Sequence, residues 1–182
     1  QKPSPKFQMV SEIRSMSEET RHSVFVQMKI YNKKIVIQLP YIQQEILLGI
    51  VFRAYGFTLE EIEMIIRLNC VLYKENKIIE SYIKSILLDA EKIGSQEKAI
   101  FHICEYSLNT IMKERKQKYI IQILNNELFP HLGVPSLKEH KAMFLGHMLN
   151  KLLMTYTGYR KMDDRDHINN NRLELSGYLL CE

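Results

Sequence analysis

The groups best suited to chemistry in this sequence crowd into one stretch, Asp163-Asp164-Arg165-Asp166-His167-Ile168-Asn169-Asn170-Asn171-Arg172-Leu173-Glu174-Leu175-Ser176-Gly177. One use is a charged structural corner. Asp and Asn accept nearby backbone N–H bonds in turns, and Arg165 and Arg172 can each grip a carboxylate through two parallel donors. A second use is a divalent-metal site, since carboxylates suit magnesium, but arginines set among them oppose a cation unless they point away. A third is to anchor the element that follows, or to meet nucleic-acid phosphate through Arg172. The residue types alone leave all three open.

A second charged run, Lys113-Glu114-Arg115-Lys116-Gln117-Lys118, interrupts an apolar pattern. It reads either as a solvated helix face or as an exposed basic surface for phosphate or a partner. Lys151, Arg160 and Lys161 precede the acidic stretch and either solubilise it or pair with Asp163, Asp164 and Asp166. Other pairings are poorer. His102 and Cys104 are two apart, on different faces of a helix, and His140 and His147 share a face without a third ligand at a useful spacing, so zinc is not expected. Cys70 and Cys104 have no activating base nearby in sequence and read as core fillers. Gly56 and Gly133 are isolated, and no glycine-rich loop precedes a helix, which argues against an ATPase, a kinase or a dinucleotide enzyme.

The 182 residues suffice for one good core. Apolar residues at 46% and charged residues at 25% give an ordinary globular balance. A net charge of +4 permits contact with nucleic acid or an acidic partner but is far from a dense basic face. Three scattered cysteines without a Cys-x-x-Cys pair point to a reducing compartment. With no signal peptide and no run of twenty apolar residues, the chain is expected to be soluble and intracellular. Its ends, at Gln1 and Cys181-Glu182, read as cuts through a longer chain.

The elements that must position these groups read as mixed. Residues 1–10 are a loose lead-in with Pro3 and Pro5, Val10 to Ser15 a short ordered piece, and Ser17 to Ser23 a loop. Period-two alternation over Val24, Val26, Met28 and Ile30, and again over Ile35, Ile37 and Leu39, predicts an antiparallel hairpin turning near Asn32. Helical spacing follows from Ile42 through Ile46, Ile50 and Ala54 to a stop at Gly56. Thr58 and Glu61 form a capping box for a helix over 59–68. Ile79, Ile83, Ile86 and Leu87 predict a helix ending before Gly94. Ser95 caps the next, with Ala99, Ile103, Tyr106 and Ile111 on its face. Tyr119 to Leu128 resumes the stripe until Pro130 stops it. Ser136 and Glu139 suggest a second capping box, for a long central helix over 137–157 ended by Gly158. The fold class is therefore α+β, mainly helical, with an N-terminal antiparallel hairpin.

The stretch from Asp163 to Gly177 resembles a segment of the second-largest, β-like subunit of multisubunit DNA-dependent RNA polymerases. Further stretches agree in order: Glu12-Ile13-Arg14-Ser15; Leu39-Pro40-Tyr41-Ile42-Gln43-Gln44-Glu45-Ile46 with Val51-Phe52-Arg53-Ala54-Tyr55-Gly56; and Phe129-Pro130-His131 with Phe144-Leu145-Gly146-His147-Met148-Leu149-Asn150-Lys151-Leu152-Leu153. Together they cover essentially the whole chain. The resemblance implies the lobe, a mixed helix and strand domain on one rim of the DNA cleft, inserted into the protrusion. On that scheme residues 1–15 come in from the protrusion, 16–162 form the lobe, and 163–182 lead back toward the protrusion and fork. The family transfers ribonucleotides from nucleoside triphosphates onto an RNA 3′ end with two magnesium ions.

The family's principal catalytic aspartates lie in the largest subunit, so the resemblance assigns no catalytic, cofactor or metal role here. Magnesium (Mg2+) is implied for the complete polymerase alone. Asp163, Asp164, Arg165, Asp166 and His167 are implied as a structural junction. Arg172, with Lys113, Arg115, Lys116 and Lys118, is the candidate nucleic-acid or subunit contact. Implied partners are the other polymerase subunits, the largest above all, the template and downstream duplex, and transcription factors, with no membrane. Several positions depart from the family: Asn171 stands where a basic residue is usual, Asn169 where glycine is common, Glu174 where aspartate is common, Ser176 where alanine is usual, and Tyr55 where leucine is common. These departures, with abundant Ile, Lys and Asn, suggest a large DNA virus. The location is then host cytoplasm and virion, or the nucleus for a cellular source. The rival class is a standalone nucleic-acid-binding or protein-interaction module.

Overall fold

A computed structural model describes residues 9–17, 23–70, 76–106, 113–133, 137–164 and 167–168, with Lys113 and Glu114 described by backbone only. Alternation sets in earlier than the hairpin requires. Strands β1 (Met9–Met16), β2 (Ser23–Tyr31), β3 (Lys34–Gln38) and β4 (Glu45–Leu47) form one antiparallel meander in sequence order. Met9 faces Ile30, Tyr31 faces Lys34, and Val36 faces Leu47. The expected hairpin is β2 and β3. Its two turn residues, Asn32 and Lys33, both have positive φ (46° and 60°), the twist that lets a two-residue loop follow right-twisted strands. Val24, Val26, Met28, Ile30, Ile35, Ile37 and Ile46 line the inner face and are all buried.

Two expectations change here. The piece expected between Val10 and Ser15 is a full edge strand, since its backbone groups pair with β2 along eight residues. Helix was expected from Ile42, yet residues 45–47 extend along the open side of β3, and α1 starts only at Leu48. Ile42 and Ile46 satisfy a helical period, but pairing Ile46 with Ile37 serves both its backbone and its side chain.

Helix α1 (Leu48–Ala54) is the centre of the body, with Leu48, Gly49, Ile50, Val51, Phe52 and Ala54 buried. It packs on α3 (Lys77–Ile93) and α4 (Gln96–Glu105), while α2 (Leu59–Asn69) packs on α3 and on α6 (Lys138–Tyr156). The Thr58–Glu61 capping box is complete: Glu61 N–H donates to Thr58 Oγ1 at 3.3 Å and Thr58 N–H to Glu61 Oε2 at 2.8 Å. Gly94 and Ser95 separate α3 from α4 as expected, Ser95 accepting from Lys98 N–H. Buried Asp89 takes Lys34 Nζ at 3.0 Å and so ties α3 to the sheet.

The charged run opens α5 (Lys113–Gln122), which widens into a π turn over Ile123–Glu127; a 3-10 turn, Pro130–Leu132, then leads toward α6. Helix α6 begins one residue later than expected. Leu137 holds the N-cap position without a side-chain hydrogen bond, so the proposed Ser136–Glu139 box does not cap it; Ser136 itself, like Ile111, lies outside the described residues. Among the described residues no helix is long and apolar enough to cross a membrane.

Candidate functional site

Three of the stretches that carry the family resemblance meet at one corner. Ser15, near the end of β1 and only 2% exposed, faces His131 of the 3-10 turn. His131 N–H donates to Ser15 Oγ at 3.2 Å, and Oγ lies 2.7 Å from His131 Nδ1. Phe144 of α6 completes the corner, its ring centroid 4.8 Å from that of Phe129 and 4.7 Å from that of His131, with His147 one turn on at 6.3 Å. The edge-to-face settings suit aromatic quadrupoles. Phe129 is fully buried and sits at φ 56°, a left-handed conformation a bulky residue rarely adopts, which swings the chain from the π turn into Pro130.

This corner gives the chain a pH dependence. Partial loss of water holds His131 below its ordinary value; for His147 loss of water comes first, then the charges of Lys151 and Arg160. Between the folded values and the unfolded value of about 6.5, the unfolded chain binds more protons. Stability is therefore complete above that value and falls as pH drops through it. Urea midpoints measured from pH 7.5 down to 5.5 should decline, and His131→Asn should flatten the decline; a midpoint that rises on acidification would contradict this assignment.

Beyond α6 the acidic stretch begins. Arg160 donates to both oxygens of Asp163, at 2.8 and 3.0 Å, one of the pairings expected for the cations before it. Both partners are solvent-accessible, so the pair orders the chain locally more than it stabilises the fold. Asp164 and His167 are exposed, and Asp164 O accepts from His167 N–H at 3.3 Å, as in a turn. Arg165, Asp166 and Arg172 lie outside the described residues, as do Asn169, Asn171, Glu174 and Ser176. Among the described residues no group of three or more His, Cys, Asp or Glu could hold a metal ion.

The basic run is a helix face. Arg115 and Lys118 are exposed and Lys116 half-buried, while the side chain of Lys113 lies outside the described set. Beside it, α4 and the end of α3 frame an open groove of about 480 Å³ whose lining carries both signs of charge, Lys92 and Lys98 with Glu97 and Glu105, around Phe101, which is 57% exposed. Cys70 and Cys104 are buried fillers. Burial pushes the Cys70 thiol up to about 12, and burial raises Cys104 against the pull of Lys116.

Two pairings escape sequence reasoning. Ser15 and His131 are 116 positions apart, and nothing in spacing joins them. Lys141, 1% exposed, stands in the apolar stripe four residues before Leu145; its Nζ donates to Leu124 O at 3.0 Å and to Asn125 O. Burial draws its pKa down to about 8, with Glu127 pulling the other way. A cation inside an apolar stripe was the available signal. Tyr55, the bulky departure, also has a partner: its hydroxyl donates to the same Leu124 carbonyl at 2.8 Å.

Comparison with known proteins gives a consistent set. The family described as RNA polymerase Rpb2, domain 2, matches residues 1–174. The chain is similar to DNA-directed RNA polymerase II subunit 2 of Arabidopsis thaliana, 34% identical over 96% of this chain and 16% of that protein. It is similar to subunit RPB2 of Eremothecium gossypii, 33% identical over 99% of this chain and 15% of that protein. It is also similar to the RPB2 homolog of Invertebrate iridescent virus 3, 27% identical over 94% of this chain and 18% of that protein. The chain thus spans about one sixth of these relatives' length. Cellular and viral relatives both match, so the similarity does not single out a viral source.

Proposed function

This chain belongs to the RNA polymerase Rpb2, domain 2 family, and on that premise we propose that it is the lobe of a second-largest polymerase subunit, a rigid rim of the DNA cleft and a docking surface for subunits and factors. The observation that carries this reading is the corner where Ser15, His131 and Phe144 meet, because it joins the family-like stretch near the start of the chain to two that lie more than a hundred residues further on. Residues 1–15 would come in from the neighbouring domain, 16–162 form the lobe and 163–182 lead back; β1 then ties the incoming segment into the lobe's own sheet. The complete assembly would transfer nucleotides to RNA with magnesium supplied by other parts, and this region would contribute no reacting group.

Its contribution is mechanical and electrostatic. A body held by one continuous core fixes where duplex can lie, and Arg115 and Lys118 on α5, with Arg172, would follow the phosphate backbone without reading bases. Tagging the full-length subunit, identifying what co-purifies and assaying RNA extension tests the assembly. Recovery with the largest subunit and RNA synthesis supports it, and a subunit that purifies alone and inactive removes it. In that polymerase, Arg115→Ala with Lys118→Ala should shallow the slope of log affinity for DNA against log salt by roughly 2, about one unit for each phosphate no longer neutralised. An unchanged slope takes α5 off the DNA path.

A further inference from the structure

Helix α5 does not end as helices usually do. Its last turn widens, Leu128 N–H returns to Ile123 O at 2.9 Å, and the chain leaves through extended Leu128, left-handed Phe129 and Pro130, which has no N–H. An α-helix would give Leu124 O the Leu128 N–H, but here that donor is spent on Ile123. The carbonyls at the end of a helix need partners, above all when buried. Two side chains supply them. Tyr55, from the end of α1, and Lys141, from the first turns of α6, both donate to Leu124 O, and Lys141 also reaches Asn125 O.

The choice of a lysine is physically costly. Taking an ammonium out of water is unfavourable, and an apolar side chain of similar length is often as stable or more so in such a place. What an apolar residue cannot do is hold two carbonyls in a fixed direction. A cation at the carbonyl end of a helix also meets the negative end of its dipole.

We propose that Lys141, with Tyr55, is a latch that fixes the direction of α5 against α1 and α6, making Lys141 a positioning residue for the basic face that α5 presents. The latch itself stands on the geometry; its bearing on DNA contact rests on the reading of α5 given above. The two separate cleanly by experiment.

Amide hydrogen exchange is measured on polymerase purified through the full-length subunit, as wild type, Lys141→Met and Tyr55→Phe. Lys141→Met should speed exchange across residues 113–128 at least tenfold while peptides over 77–93 stay within twofold. Tyr55→Phe, which leaves Lys141 in place, should speed the same peptides about threefold. A merely structural lysine would instead raise exchange alike in both regions, or in neither, and either result overturns the latch. Should Lys141→Met fail to assemble, Tyr55→Phe decides on the same comparison of regions. DNA salt dependence of the variant that assembles then tests the other reading: faster local exchange with an unchanged slope keeps the latch and removes α5 from DNA contact.

Discussion

Gly49→Ala should destabilise the chain by about 2 kcal/mol, because the added methyl group has nowhere to go. Gly49 lies in α1 where that helix crosses α3, and a Cβ there would sit 2.9 Å from Ala90 N and closer still to Ile86 O. Both are backbone atoms of a neighbouring helix, so relief requires moving α3 as a body. Two effects oppose each other. Replacing a helical glycine by alanine ordinarily gains about 1 kcal/mol of propensity, whereas forcing a packed interface apart costs up to about 3 kcal/mol or more. The clash wins, since α1 is buried on nearly every side and cannot slide. A thermal midpoint lowered by roughly 4 °C or more is expected, and one that is unchanged or raised would show that the helices have slack.

The second large effect belongs to Phe129. Phe129→Ala removes a fully buried ring that packs on Phe144 and stands between the π turn and His131, and should cost about 4 kcal/mol. Comparison with Phe129→Gly makes the prediction sharper. At an ordinary position glycine is less stable than alanine, but at φ 56° a side chain carries a penalty of about 1–2 kcal/mol that glycine avoids. Glycine should therefore match or exceed alanine here. Denaturant midpoints of the two variants decide it, and alanine clearly the more stable would mean the left-handed backbone is not kept.

What could be read from residue order follows the range of the interaction. The Thr58–Glu61 box, the Gly94–Ser95 break and the β2–β3 turn are settled by residues within four positions of one another, and all stand as expected. Strand β4 was hidden because Ile42, Ile46 and Ile50 fit a helix equally well until β3 is placed beside them. The Ser136–Glu139 signal had the right residue types one position too early for the helix that forms. The corner of Ser15, His131 and Phe144 had no local signature; only likeness to a family marked those stretches, and contact between them depends on β1 lying against α6. Lys141 stood in view as a charge in an apolar row, but its use depends on a π turn that period counting does not distinguish from an ordinary helix.

Leu124 O, served by both Tyr55 and Lys141, has a consequence for relatives of this chain. Where the residue before the glycine is leucine, one of two donors is gone, and the lysine alone must serve that carbonyl; where it is tyrosine, a neutral residue in place of the lysine still leaves that carbonyl a donor, although the next one, Asn125 O, loses its own. The two positions should consequently show compensation across a lineage, with leucine and a neutral residue together the combination that is missing.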